Sequence, residues 1–245
     1  MILITSYKMR DLVMHYISEY VRREFIPWLD KKRINYVFLY EHLNTKENFE
    51  KYVPEADIVI LTGHGMKDLV TGYGYRPIVK ACENDNLLIE KDVCAVACLS
   101  GAILGHSAVN KGAKIYIGFW REALLVLSYD VEDPTNAPIE QIDPLSDELA
   151  YPFLDTLFYP AKLLIERKHP AKIYDLTYKR YNYWIDYALK RETEEWSEVA
   201  KALIWNKNSL VVYPVYEPPN ILKFAIPNLL AFVFYPLYKL SSKSP

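Results

Sequence analysis

The chain has 245 residues, a formal net charge of −2 and an apolar fraction of 51%. This composition excludes intrinsic disorder, and the near balance of 29 basic and 31 acidic residues argues against a nucleic-acid binder. Three cysteines are too few for a disulfide framework, so we expect a reducing, cytoplasmic setting. The first residues also lack the charged region and the longer apolar core of a signal peptide.

Short apolar runs alternate with amphipathic segments over the first 120 residues. The runs predict five strands, at residues 1–6, 35–40, 57–61, 93–97 and 114–120. Asp11 is expected to cap a helix over 12–25, and Asn44 or Thr45 a short polar helix. Residues 102–111 predict a further helix. Strands that are apolar on both faces and separated by helices predict an α/β fold with a mainly parallel sheet between two helical layers.

The pattern changes after residue 121. Residues 130–144 are rich in acidic residues and proline and predict a loop, which is followed by helices at about 152–166 and 170–191. Residues 196–215 hold a polar helix and a strand-like run at 210–215. These patterns indicate one domain over residues 1–215.

Residues 216–245 form an apolar extension whose central stretch, 224–238, is 15 residues long. A membrane-spanning helix needs about 20 residues, and prolines interrupt this stretch. We expect it to pack against the domain or against a second subunit in a homodimer. A peripheral membrane contact and an inhibitory flap over the active crevice remain as alternatives.

Two reactive side chains follow neighbouring apolar runs. His64 comes after the third predicted strand and Cys98 after the fourth. Ligands bind outside the carboxyl ends of open parallel sheets, so we expect both residues in one crevice. Imidazole and thiol together can perform nucleophilic attack on a carbonyl, and a helix beginning at Cys98 would favour its thiolate. The backbone N–H groups of Gly65 and Cys98 are the candidate donors to an oxyanion.

The two blocks IVILTGHG and VCAVACLSG, whose His64 and Cys98 lie 34 residues apart, resemble those of the caspase–gingipain–clostripain superfamily of cysteine peptidases. The continuation through IYIGFW and the helical segment beginning PFLDTLFYPAKLL resemble its gingipain and CHAT-domain branch. The resemblance covers roughly residues 1–190. It implies a caspase-like three-layer fold, with His64 as general base and acid, Cys98 as nucleophile and Gly65 as oxyanion donor.

The resemblance also implies a specificity pocket beside the strand that follows the cysteine. Trp120 and Arg121 stand near the end of that strand and are candidate substrate-binding residues. An arginine there would suit an acidic side chain before the scissile bond. Some relatives bind calcium through acidic residues, but Asp130, Glu132 and Asp133 are expected to form a plain acidic loop.

These observations predict a cysteine endopeptidase acting on a protein or peptide through a His64–Cys98 dyad and an acyl-enzyme. The sequence identifies no third residue that orients His64. One alternative is an inactive relative that serves as a protein-binding or regulatory module. Another is a small-molecule amidohydrolase or transferase that uses the same thiol.

The remaining candidate residues favour structural interpretations. Cys94 should point into the core by strand alternation, while Cys82 has no evident partner, and His106 should be a packed or exposed helix residue. No His/Cys/Asp cluster shows zinc spacing, and we expect neither a metal nor a cofactor. Residues 128–150 are a candidate subunit-processing linker, a segment at which the protein would cleave its own chain.

Overall fold

The computed structural model describes residues 1–8, 11–128 and 139–214, and the structural statements below concern this part of the chain. The strands are β1 (Ile2–Ser6), β2 (Tyr36–Tyr40), β3 (Ile58–Thr62), β4 (Leu69–Thr71), β5 (Pro77–Lys80), β6 (Asp92–Val96), β7 (Ile115–Phe119) and β8 (Leu210–Tyr213). The α-helices are α1 (Leu12–Tyr20), α2 (Ile26–Lys31), α3 (Lys46–Tyr52), α4 (Leu104–Asn110), α5 (Tyr151–Ile165), α6 (Pro170–Leu189) and α7 (Glu194–Ser209).

Six strands form the central sheet, in the order β2-β1-β3-β6-β7-β8. The first five run parallel, and β8 pairs antiparallel with β7 at the edge. This arrangement confirms the predicted α/β fold with a mainly parallel sheet, and it is consistent with a caspase-like three-layer architecture. Because β3 lies between β1 and β6, the segments that follow these three strands meet at one edge of the sheet.

Alternating side chains of the strands form two cores, one on each face of the sheet. Ile4 and Ile60 belong to the core under α1, α2 and α5, whereas Leu3 and Val59 belong to the core under α3 and α4. Cys94 is buried in the first core, as strand alternation predicts, and burial raises the pKa of its thiol to about 12. A third apolar cluster joins α6 to α7.

The helix boundaries differ from the predicted ones in two places. The predicted helix over 12–25 continues to Lys31, through a π-helical turn at Val21–Phe25 that precedes Pro27. Proline offers no N–H to the helical ladder, which suits a local change in the hydrogen-bond pattern. The helix expected to begin near Cys98 starts only at Leu104, after a run of turns over residues 98–103.

The antiparallel pair of β4 and β5 lies between the third and fourth predicted strands, where the sequence analysis predicts no strand. Its strands are three and four residues long, too short for a periodic pattern to show. The acidic residues Asp130, Glu132 and Asp133 and the stretch 224–238 lie outside the described residues. No helix within the described ranges is long and apolar enough to cross a membrane.

Candidate active site

His64 and Cys98 each lie two residues beyond the end of a central strand. His64 follows β3 and Cys98 follows β6, and these strands pair directly in parallel register. Their loops are in close backbone contact, since a Cβ built on Gly65 would lie 2.0 Å from the Cys98 carbonyl oxygen and 2.9 Å from its nitrogen. The fold therefore brings both predicted catalytic residues to one edge of the sheet.

The imidazole of His64 is paired with a carboxylate that the sequence did not assign to the site. Nε2 of His64 lies 2.5 Å from Oδ2 of Asp11, whose other oxygen accepts the N–H of Met14 at 3.0 Å and caps α1. Because a carboxylate only accepts hydrogen bonds, Nε2 carries the proton and Nδ1 is the basic nitrogen. Asp11 thus fixes the tautomer that a general base requires.

The pKa of Asp11 reflects this pairing. Burial alone would raise the pKa of the carboxyl, because it disfavours the charged form. The hydrogen bond and charge of His64, together with the N–H groups of Met14 and Val13, outweigh burial and hold the pKa below its usual value. The side chain of Asp11 is only 9% exposed and that of His64 is 29% exposed, so solvent screens the pair weakly.

The buried residues Tyr7 and Thr71 are hydrogen-bonded to the backbone of His64. The hydroxyl of Tyr7 accepts the His64 N–H at 3.3 Å and shares a 3.0 Å hydrogen bond with Thr71. The Thr71 backbone N–H and hydroxyl both donate to the His64 carbonyl. Burial raises the pKa of Tyr7, so its phenol stays protonated and keeps these hydrogen bonds.

The thiol of Cys98 is hydrogen-bonded to the segment after β7. The Ala123 N–H lies 3.3 Å from the sulfur, and the sulfur lies 3.8 Å from the Ala123 carbonyl oxygen. In the described part of the chain, no hydrogen bond joins Cys98 to His64. The candidate nucleophile is therefore not hydrogen-bonded to the candidate base, a geometry that does not exclude a catalytic pair.

The expectation that a helix beginning at Cys98 favours its thiolate is wrong. Burial raises the pKa of this thiol, and the nearby charge of Glu122 adds to the effect, while the Ala123 N–H opposes it. The physical reason is that α4 begins six residues after Cys98, so no helix N-terminus faces the sulfur.

Residues 121–124 form a strap over Cys98. The side-chain amide of Asn206 holds it by donating to the Leu124 carbonyl and accepting the Leu124 N–H, both at 2.8 Å. Trp205 donates its indole N–H to the Glu122 carbonyl at 2.8 Å. Since Asn206 is fully buried in α7, the clamp fixes the strap against the sulfur.

The strap also positions the predicted substrate-binding residues. The guanidinium of Arg121 lies 3.8 Å from the ring centre of Trp120 and 4.9 Å from that of Trp205. The Leu99 N–H donates to the Arg121 carbonyl, which places this arginine next to the cysteine loop. Among the described residues, Arg121 makes no ion pair, so its charge is available to an anionic group.

Two backbone donors remain for an oxyanion. Within the described ranges, neither the Gly65 N–H nor the Cys98 N–H is bonded to another backbone carbonyl. The isolated bridge between Gly65 and Val70 uses the N–H groups of Met66 and Thr71, which leaves the Gly65 N–H unused. The two donors lie on contacting loops, as stabilisation of a tetrahedral oxyanion requires.

The other sequence candidates stand apart from this arrangement. Cys82 is exposed in the turn after β5, and His106 lies on α4 with its ring against Tyr213. No group of three or more His, Cys, Asp or Glu side chains in the described ranges could hold a metal ion. No family model matches the chain, and no curated protein matches its sequence.

Sequence reasoning missed four residues around the candidate site: Asp11, Trp205, Asn206 and Tyr75, whose ring centre lies 5.3 Å from that of His64. Asp11 had a usable signal, because an acidic residue that follows β1 lies at the same sheet edge as the residue that follows β3. The others had none: Tyr75 lies in the unpredicted β4–β5 turn, and α7 is about 80 residues distant from the strap in sequence.

Replacing Asn206 with aspartate is expected to release the strap. A carboxylate cannot donate to the Leu124 carbonyl and repels it, while a single buried hydrogen bond contributes about 1 kcal/mol. We expect the rate constant for iodoacetamide alkylation of Cys98 at pH 7 to rise about tenfold, as measured by peptide mass spectrometry.

Asn208→Asp makes the same change of charge at an exposed position two residues along the chain and should leave the rate unchanged. Cys82 and Cys94 serve as internal references, since one is exposed and the other reports global unfolding. If the alkylation rate constant of Cys98 is the same in Asn206→Asp and Asn208→Asp while Cys94 stays unlabelled, the strap does not cover the thiol.

Proposed function

We propose that the chain is a cysteine endopeptidase of the caspase–gingipain–clostripain type, acting on a protein or peptide substrate. The observation that carries the proposal is the placement of an Asp11–His64 pair and Cys98 on contacting loops, next to two N–H groups that donate to no backbone carbonyl. The three groups are a base with a fixed tautomer, a nucleophile and an oxyanion site, which acyl transfer requires.

In the acylation half of the reaction, substrate displaces Ala123 from the sulfur while Arg121 stays beside the cysteine loop, and the base reaches the thiol. Nδ1 of His64 takes the thiol proton, and the sulfur forms a bond to the scissile carbonyl carbon. The oxyanion accepts the N–H groups of Gly65 and Cys98. When the tetrahedral intermediate collapses, the C–N bond breaks and His64 gives its proton to the leaving amine.

In the deacylation half, water takes the place of the amine. His64 removes a proton from the water, whose oxygen attacks the thioester carbonyl. The C–S bond then breaks, and the sulfur recovers its proton from His64. Asp11 stays ionised throughout and stabilises the imidazolium form that occurs in both halves.

Arg121 supports a preference for an acidic residue before the scissile bond. Its guanidinium is stacked between Trp120 and Trp205, beside the cysteine loop. Stacking leaves the edge of the guanidinium for bidentate contact with a carboxylate. The chemistry needs a reduced thiol, which agrees with the proposed cytoplasmic location and with free Cys82, Cys94 and Cys98.

Digestion of a peptide library tests the proposal. Wild-type protein and Asn206→Asp are incubated with peptides of random sequence, and the new termini are identified by mass spectrometry. We expect cleavage after acidic residues in wild type, more in Asn206→Asp, and none in Cys98→Ala or His64→Ala. Arg121→Ala should cleave without the acidic preference.

A catalytically inactive binding module is the second candidate, and one observation favours it. The Cys98 sulfur is occupied by the Ala123 backbone and its thiol pKa is raised, which suits an unreactive side chain. Absence of Cys98-dependent cleavage by both wild type and Asn206→Asp would overturn the peptidase proposal in favour of this module.

A further inference from the structure

Apolar side chains are exposed on the His64 side of the site. Tyr75 is 48% exposed, Tyr73 is 43% exposed and Met66 is 52% exposed. Tyr73 and Tyr75 belong to the turn between β4 and β5, and Met66 directly follows the His64–Gly65 loop. Large apolar side chains exposed together beside a polar centre are typical of a ligand-binding groove.

Tyr75 is held in place before any ligand arrives. Its ring centre lies 5.3 Å from that of His64 and 6.3 Å from that of Tyr7, with the Tyr7 ring edge-on at 85°. Burial, followed by the charge of the Asp11 carboxyl, raises the pKa of this phenol, so the ring carries a protonated hydroxyl. A ring fixed in this way loses little conformational freedom on binding.

The backbone of this turn is strained at Tyr75, the residue whose ring lies beside His64. Tyr75 has a φ of 60°, in the left-handed region that a bulky residue rarely adopts. A hydrogen bond from the Gly72 N–H to the Arg76 carbonyl, at 2.8 Å, closes the turn around it. Strain of this kind persists where the surrounding structure enforces it, and it is concentrated at ligand-binding sites.

The order of the strands decides which half of a substrate meets Tyr75. β6, which precedes Cys98, lies between β3 on the His64 side and β7 on the Arg121 side. His64 must protonate the leaving amine, so the residue after the scissile bond lies against the groups around His64. The acyl half of the substrate then extends toward Arg121.

We propose that Tyr75, with the exposed Tyr73 of the same turn and Met66 after the His64–Gly65 loop, is a specificity-determining residue that receives an apolar side chain on the leaving-group side of the scissile bond. This inference rests on the proposed peptidase function, because only an acyl-transfer reaction gives the His64 side a leaving amine. It adds a substrate preference that Arg121 does not provide.

Transfer of an acetyl group tests the subsite separately from peptide cleavage. 4-Nitrophenyl acetate acylates Cys98 when the sulfur attacks the ester carbonyl and 4-nitrophenolate leaves. Leucinamide or glycinamide then attacks the thioester: a C–N bond forms, the C–S bond breaks and the amine proton passes to His64. The rate constants for the two amines, compared at equal concentration, measure binding on the leaving-group side alone.

We expect leucinamide to react about fivefold faster than glycinamide, since its isobutyl group is partly removed from water. The preference should fall to near one in Tyr75→Ser and persist in Tyr75→Phe, which keeps the ring. Tyr183→Ser, at a 53% exposed tyrosine on α6, serves as the matched control and should retain the full preference. Because both amines attack the same acyl-enzyme, a loss of basicity at His64 would slow both reactions equally and would cancel in the ratio of their rate constants.

Four outcomes would overturn the inference. Absence of Cys98 acylation in both wild type and Asn206→Asp overturns the peptidase proposal and this subsite with it. Acylation with equal rates for the two amines, or an unchanged preference in Tyr75→Ser, overturns the subsite alone. If Tyr75→Ser fails to fold, Met66→Ser provides the same comparison, and an unchanged preference in that variant also contradicts the proposal.

Discussion

Replacing Asp11 with asparagine is expected to lower kcat/KM for peptide cleavage by about 10²- to 10⁴-fold. Asparagine can present its amide N–H₂ to Nε2 of His64, which then favours the tautomer that has its proton on Nδ1 and cannot act as the base. It also removes the negative charge that stabilises the imidazolium. Steady-state kinetics on the best peptide from the library measure the effect.

The choice of asparagine separates catalysis from folding. Asparagine is as good an N-cap as aspartate, so the hydrogen bond to the Met14 N–H that begins α1 is kept. Asp11→Ser keeps a capping oxygen but is too short to reach His64, and it should lose a comparable share of activity. A kcat/KM for Asp11→Asn within twofold of wild type would show that Asp11 is only a helix cap.

The same substitution should change the pH dependence of stability. The folded pKa of Asp11 is below its unfolded value, so ionised Asp11 stabilises the fold at and above the usual carboxyl range. This contribution is lost as the pH falls through the lower, folded pKa. Urea unfolding at pH 7 and at pH 3 should therefore show a smaller acid-induced loss of stability in Asp11→Asn than in wild type.

Replacing Gly65 with alanine is expected to reduce both activity and stability. The added Cβ would lie 2.0 Å from the Cys98 carbonyl oxygen and 2.9 Å from the Cys98 nitrogen, and both are backbone atoms that cannot rotate away. The two loops must separate, which moves the oxyanion donors apart. We expect kcat to fall about 10²- to 10³-fold and the free energy of unfolding to fall by about 1–3 kcal/mol.

Gly112→Ala is the matched control for lost stability. Gly112 has a φ of 113° just after α4, so alanine there is strained. It precedes β7, and its carbonyl accepts the Glu90 N–H ahead of β6, so it lies at the opposite edge of the sheet from His64 and Cys98. Denaturant unfolding should show a loss of stability, with kcat unchanged for the folded protein. If Gly65→Ala loses stability without losing kcat, the close contact of the two loops is structural and not catalytic.

The strands and the two reactive residues were predictable because local patterns determine them. Runs such as DIVIL and VCAVA are apolar on both faces, which predicts buried parallel strands. His64 and Cys98 follow these runs, so the sheet rule for ligand sites points to them without any knowledge of contacts. The sequence also predicted Asp11, but only in its local role as a helix cap, which the structure confirms.

Tertiary structure alone decided how these residues are connected. The pairing of Asp11 with His64 joins residues 53 positions apart, and the clamp of Asn206 on Leu124 joins residues 82 positions apart. Such contacts depend on which strands become neighbours and where a distant helix packs, and no local periodicity encodes either. The pKa of the Cys98 thiol also depends on tertiary structure. The sequence position of Cys98 suggested a helix N-terminus that lowers this pKa, whereas burial under the strap raises it.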